Sequence, residues 1–207
     1  MLPIETEVKF HLADPPAVRT RLTGLGALSS GRAPEHNIRF ENDALGLLSQ
    51  HALLRLRQDL TATLTYKSPP AEADPEFKQL VEIEVEVANF EAMRQILHAL
   101  GFRPQQRYEK QRETLRLGRT AFCMDALPYG DFIEIEGPRE EIRDYALRLG
   151  LRWDRRILLT YLEMFEIIKS FHGLDFVDPT FANFNGIRID LAACLPMMEA
   201  GRRPVSG

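Results

Sequence analysis

The stretch "IETEVKF", residues 4–10, alternates without a break. Glu5, Glu7 and Lys9 take every second position, and Ile4, Thr6, Val8 and Phe10 fill the positions between. In an extended strand, successive side chains point to opposite faces. One face of this strand therefore carries three charges, and the other is mostly apolar. An ordinary strand with its polar side in water alternates in the same way. The segment alone leaves two readings, a solvated face or the wall of a site.

Six further segments repeat the pattern. "LLRLRQ" sets Arg55 and Arg57 opposite Leu54 and Leu56, and "TLTYK" sets Lys67, with Thr63 and Thr65, opposite Leu64 and Tyr66. "VEIEVEV" lines up Glu82, Glu84 and Glu86 against Val81, Ile83, Val85 and Val87. "EKQRETL" puts Lys110 and Arg112 on one face. "FCMDAL" sets Asp125 against Phe122, Met124 and Ala126, and "FIEIEG" sets Glu134 and Glu136 against Ile133 and Ile135. A solvated face usually mixes Ser, Thr, Lys and Glu, whereas these faces collect Arg and Lys on some strands and Glu on others.

Between the strands lie helical segments. "ADPPAVRTRLTGLGAL" starts at an Asp14 cap with prolines in its first turn, "FEAMRQILHAL" follows an Asn89 cap, and "REEIRDYALRLG" and "LLTYLEMFEIIKSF" have helical spacing. "PPAEADPEFK" reads as an acidic, proline-rich loop, long enough to be mobile or to cover a site. Residues 173–207 read as a C-terminal extension packed on the main domain. The count is about eight strands, three or four helices and mostly hairpin connections. That predicts an α+β fold, an eight-stranded antiparallel β-barrel with helices packed outside. The helices cover the apolar faces, so the charged faces look into the barrel.

The chain of 207 residues is 44% hydrophobic and 27% charged, with a net charge of −4. It suits a globular protein, and nothing global calls for nucleic acid or an acidic membrane surface. No apolar run approaches the roughly 20 residues that span a bilayer, and "MLPIETEV" lacks the pattern of a signal peptide. The two cysteines, Cys123 and Cys194, form no metal or disulfide framework. A cytoplasmic protein with reduced thiols is expected. Walker, dinucleotide, zincin and serine-hydrolase signatures are absent, so carboxylates, lysines and arginines must carry any chemistry.

Lys9, Arg55, Arg57, Lys67, Lys110 and Arg112 make six inward cations, and Glu5, Glu7, Glu82, Glu84, Asp125, Glu134 and Glu136 make seven anions. Burying an unpaired charge costs several kcal/mol, so such a barrel is wet or holds a charged ligand. Arginine forks and lysine point charges fit a chain of phosphates. Clustered carboxylates fit hard divalent cations. A metal–triphosphate complex satisfies both halves.

At these residues the sequence resembles a known family. "ETEVK" matches the ExExK signature of the CYTH superfamily, the triphosphate tunnel metalloenzymes, which include class IV adenylate cyclases, thiamine triphosphatases and inorganic triphosphatases. "LRLR", "LTYK", "EIEVEV", "YEKQRET", "MDALPYGDFIEIEG" and "TYLEMF" follow in the family's order, and the resemblance spans about residues 3–166. It implies a tunnel domain over residues 1–172 and a small-molecule triphosphate substrate, with Mg²⁺ or Mn²⁺ as cofactor. By position, Glu5, Glu7 and Glu136, with Glu134 beside them, resemble metal ligands. Lys9, Arg55, Arg57, Lys67, Lys110 and Arg112 resemble the phosphate-binding wall. Lys9, Glu82, Glu84 and Asp125 resemble catalytic positions, although Glu84 and Glu86 match the mid-tunnel pair almost as well as Glu82 and Glu84. Three activities remain open: triphosphate hydrolysis, the leading one; cyclisation of ATP to cyclic AMP; and non-catalytic binding of polyphosphate or nucleotide. A second copy of the chain also stays open as a partner. Tyr108 and Tyr161 are expected to be packing residues, and Cys123 a buried structural thiol.

Overall fold

The alternating segment forms β1 (Ile4–His11), which pairs antiparallel with β5 (Lys78–Val87) on one side and with β8 (Gly130–Glu136) on the other. This double pairing closes the sheet. The remaining strands are β2 (Leu28–Asn42), β3 (Leu53–Gln58), β4 (Ala62–Ser68), β6 (Phe102–Leu117) and β7 (Thr120–Leu127). Their order around the barrel is β1-β5-β4-β3-β2-β6-β7-β8. The structure is a computed structural model that describes residues 3–202.

Register brings the charged rows side by side. Glu7 lies opposite Glu136 and Lys9 opposite Glu134, while Arg112 lies opposite Asp125. Lys67 faces Glu82 and Thr65 faces Glu84. Directly paired residues share a face of the sheet, so all these side chains meet inside the barrel.

The second strand, of 15 residues, and the sixth, of 16, are much longer than the rest. The two pair with each other almost throughout, across register shifts at Ser29/Arg32 and Arg39/Phe40. Gly31, at φ 89°, supplies the left-handed backbone inside the first shift. Gly31 and Pro34 look like strand breakers in the sequence, and the long partner strand overrides them.

The outer faces dock on helices. Val8, Phe10, Leu115, Phe122, Ile133 and Ile135 are buried against α1 (Pro15–Gly24) and α4 (Arg139–Arg148). Leu127, Tyr129 and Phe132 pack with α5 (Tyr161–His172) and α6 (Leu191–Met198). Phe40, Leu54 and Leu56 pack with α3 (Phe90–Ala99), near the one-turn α2 (Gly46–Ser49). Asp14 and Asn89 cap α1 and α3 as expected, accepting from the amides of Ala17 and Ala92.

Two expectations need correction. Helices do not cover every apolar face: Ile83 and Val85 on β5 are 46% and 54% exposed. Helix α3 packs mainly on β3 and β6 and reaches β5 only at Val87, so Ile83 and Val85 stay bare. The proline-rich loop is also no free flap. Asp74 pairs with Arg139 at 2.5 Å, Glu76 pairs with Arg143, and Phe77 is buried beneath Trp153.

The chain beyond residue 173 is tied down at several points. Gln106 donates to the Val177 carbonyl at 2.6 Å, Asp178 accepts from the Arg107 amide at 2.8 Å, and Phe184 and Cys194 are buried beside α5. The last five residues of the expected extension, 203–207, lie outside the described ones.

Candidate active site

The barrel encloses a cavity of about 830 Å³, within the range of small-molecule sites. Its walls hold every charged strand residue singled out from the sequence apart from two: Glu86, which is exposed outside the cavity, and Asp125, which is packed behind Lys110, Arg112 and Tyr161.

On the wall formed by β1 and β8, carboxylate oxygens of Glu5, Glu7 and Glu136 lie within 4.8 Å of one another. Burial and the neighbouring Glu7 push the Glu5 carboxyl up to about 8, against the pull of Lys67. Burial and Glu134 push Glu136 up to about 7. Burial would raise Glu7 as well, but Lys78 and Lys9 hold it down at about 2. Three carboxylates this close resist ionising together. They form a hard oxygen donor set, so their chemistry fits a divalent cation such as Mg²⁺ or Mn²⁺. Cys123 lies alongside, with its sulfur 3.6 Å from Glu136 Oε1. Burial pushes the thiol well above its ordinary pKa, as fits the structural role expected of it.

Lysines brace this cluster. Lys9 Nζ donates to Glu7 Oε1 and lies 3.1 Å from Glu134 Oε1. Lys78 Nζ lies 3.0 Å from the same Glu7 oxygen. Lys67 Nζ reaches Glu5 at 2.5 Å and Glu82 at 3.0 Å.

The cationic wall comes from β3 and β6. Arg112 grips Asp125 with two hydrogen bonds of 2.6 and 2.5 Å and also reaches Glu134. Lys110 lies 3.2 Å from Asp125 and 3.3 Å from Glu35. Arg55 Nη2 donates to Thr65 at 3.2 Å and sits 3.5 Å from Glu84. Arg57 Nη2 donates to Thr63 at 3.3 Å, and its Nε is 3.0 Å from Asp59. The structure thus brings the predicted site residues together around one chamber, with Asp125 behind its wall rather than in it. Glu84 stands nearest its rim, with a side chain 40% exposed.

Three participants escape the sequence reading. Lys78 shares the parity of Glu82 and Glu84, and starting that strand one residue earlier would have exposed it. Glu35 alternates with Asn37 and Arg39 opposite His36, Ile38 and Phe40, the same signal in a strand not scored for parity. Tyr161 packs as expected, 5.8 Å from the Phe132 ring in the apolar core, but its hydroxyl also donates to Asp125 Oδ2 at 2.8 Å, and its ring carries Lys9 and Lys110 at 5.4 and 5.3 Å. Thr160 and Glu163 form a capping box that fixes this first residue of α5. The T-x-x-E signal was present in "TYLEMF", but nothing in the sequence showed that the helix start meets the barrel floor.

The model of the CYTH domain matches residues 3–148. The chain belongs to the CYTH family. That match spans all eight strands and α4, whereas Tyr161 comes from beyond it. Among solved structures, the CYTH fold here is similar to the PH1012 protein of Pyrococcus horikoshii. The two are 27% identical with a TM-score of 0.65, over 77% of this chain and 98% of that one. It is similar in fold to a candidate adenylate cyclase from Vibrio parahaemolyticus (17% identity, TM-score 0.72, covering 80% and 99%). It is also similar in fold to a candidate adenylyl cyclase from Hippeastrum reported with a dominant triphosphatase activity (19%, 0.53, covering 71% and 88%). None of the curated proteins matches the chain. Among the described residues, no helix is long and apolar enough to cross a membrane.

Proposed function

We propose that this CYTH protein is a divalent-metal-dependent triphosphatase acting on a small inorganic or organic triphosphate. One observation carries the reading: a cluster of three carboxylates and a wall of cations face each other across a single chamber. Glu5, Glu7 and Glu136 would hold Mg²⁺ or Mn²⁺. A divalent ion bound there supplies charge neutralisation at phosphate oxygens and acidifies a coordinated water.

The protein's own residues do the rest by position and charge. Arg55, Arg57, Lys110 and Arg112 bind the phosphate chain and stabilise charge that develops on it during transfer. Asp125 and Tyr161 orient Lys110 and Arg112, because each cation needs a fixed head to act on one oxygen. Lys9 and Lys78 hold the same oxygen of Glu7, which fixes the carboxylate beside Glu5 and Glu136. Lys67 balances Glu5 and Glu82. No Cys, His or Ser is needed as a nucleophile.

The test is a substrate panel. Full-length protein is offered tripolyphosphate, thiamine triphosphate and ATP, each with Mg²⁺ or Mn²⁺, and the products are resolved by ³¹P NMR and chromatography. The expected products are inorganic phosphate and a diphosphate. Cyclic AMP and pyrophosphate as the main products from ATP would replace hydrolysis by cyclisation. Binding without turnover would leave only a binding module.

A further inference from the structure

Two buried carboxylates share the same two cations, and their surroundings differ. Asp125 is fully bonded: Arg112 donates twice, at 2.6 and 2.5 Å, Tyr161 donates at 2.8 Å and Lys110 at 3.2 Å. Such a carboxylate holds its cations in place. Glu35, 3% exposed on β2, faces Lys110 at 3.3 Å and Arg112 at 3.7 Å. Its Oε2 makes no aligned hydrogen bond, and the Arg112 contact is longer than one. Glu35 therefore adds charge to this wall without fixing its geometry.

Nor is Glu35 the sole acidic neighbour of any cation beside it. Each cation around Glu35 already has another acidic neighbour: Lys110 has Asp125, Arg112 has Asp125 and Glu134, Arg55 has Glu84 and Arg57 has Asp59. Strand β2 lies four places from β1 in either direction round the barrel. Glu35 thus stands across the chamber from Glu5 and Glu7, in the wall that would receive phosphate. Burial alone would push its carboxyl up, but Lys110, then Arg112, Arg55 and Arg57, hold it down at about 2. It is ionised at any working pH.

We propose, resting on the triphosphate reading of the tunnel, that Glu35 is a resident rival of phosphate for Lys110 and Arg112. It weakens the wall's hold on any phosphate ligand, so that the shorter products leave. Removing its charge then tightens binding of a product. A purely supporting carboxylate would behave in the opposite way, because its loss would let Lys110 and Arg112 drift and would weaken binding.

The sign of the effect decides. Full-length wild type, Glu35→Gln and Glu35→Ala are titrated with pyrophosphate and with tripolyphosphate by calorimetry in the presence of chelator. Thermal melts check the fold. Glu35→Asp retains the charge but draws it back by one methylene, and it serves if the neutral variants are unstable. Glu91→Gln, on exposed α3, controls for net charge. Both neutral variants are expected to bind pyrophosphate at least ten-fold more tightly than wild type, Glu35→Asp by less, with Glu91→Gln unchanged. Unchanged or weaker binding overturns the proposal. So does tightening in Glu35→Gln alone, which would report a new amide contact, or equal tightening in Glu91→Gln. If wild type binds no tripolyphosphate here and turns none over with Mg²⁺ or Mn²⁺, the triphosphate reading itself falls, and this proposal with it; absence of binding under chelator with turnover intact overturns this proposal alone.

Discussion

The two halves of the barrel are built differently. Strands β1, β6, β7 and β8 have outer faces buried under α1, α4, α5 and α6, and Val8, Leu115, Phe122, Phe132, Ile133 and Ile135 have no exposure at all. Strands β3, β4 and β5 are backed only in part, and β5 shows Ile83 and Val85 to solvent. The inner faces follow the same division. Lys9, Lys110, Asp125 and Glu134 on the backed half are 2%, 2%, 2% and 6% exposed and cross-linked by several partners each. On the other half, Glu84 and Arg57 have side chains 40% and 19% exposed and fewer contacts. Apolar packing behind a strand locks the orientation of the charges in front of it. Buried charges are tolerable only when such locking keeps every partner in reach. The backed half therefore carries the ordered chemistry, and the half-covered one is the looser side of the chamber.

Mutations should separate the halves. The largest effect is expected from Glu7→Ala, which removes one member of the carboxylate cluster and the shared partner of Lys9 and Lys78. Turnover of tripolyphosphate with Mg²⁺ or Mn²⁺ should fall by roughly a thousand-fold or more, the scale of losing a central electrostatic group. Circular dichroism should show the barrel retained. Asp125→Asn comes next. It leaves Lys110 and Arg112 short of a charge partner and should cost about 3 kcal/mol in urea unfolding together with a raised KM. Ile135→Ala, on the outer face behind Glu134 and Glu136, should cost a similar about 3 kcal/mol by the same measurement but alter KM less. On the looser half, Glu84→Gln should change kcat/KM less than about ten-fold, because the Glu84 side chain is 40% exposed to water. Val85→Ala should shift stability by no more than about 0.5 kcal/mol. Equal costs for Ile135→Ala and Val85→Ala would remove the distinction between the halves.

The barrel was legible because its strands alternate so strictly. In "IETEVKF", "VEIEVEV" and "FIEIEG" the parity separated a charged face from an apolar one, its repetition over seven strands marked the charged face as the inward one, and the register then brought those charges together. Elsewhere local signals and tertiary pairing disagreed. Gly31 and Pro34 masked the start of β2, whereas Glu35 lay inside a legible strand with one charge of each sign on its inward face. Lys78 was lost at a strand boundary, where sequence patterns are least defined. Tyr161 could not have been placed, because its role depends on where α5 lands on the barrel floor rather than on its neighbours in sequence. The bare face of β5 was equally hidden, since Val81, Ile83 and Val85 read as a face that a helix ought to cover.

The claim that an inward carboxylate cluster is a metal site can be tested without any substrate. Mn²⁺ is titrated into the full-length protein, and the free-ion electron paramagnetic resonance signal is followed for wild type, Glu7→Ala and Glu136→Gln. The account predicts that wild type depletes the free signal with saturation and that both variants lose most of that binding. A free signal undiminished by wild-type protein, or depleted equally by all three, would contradict it.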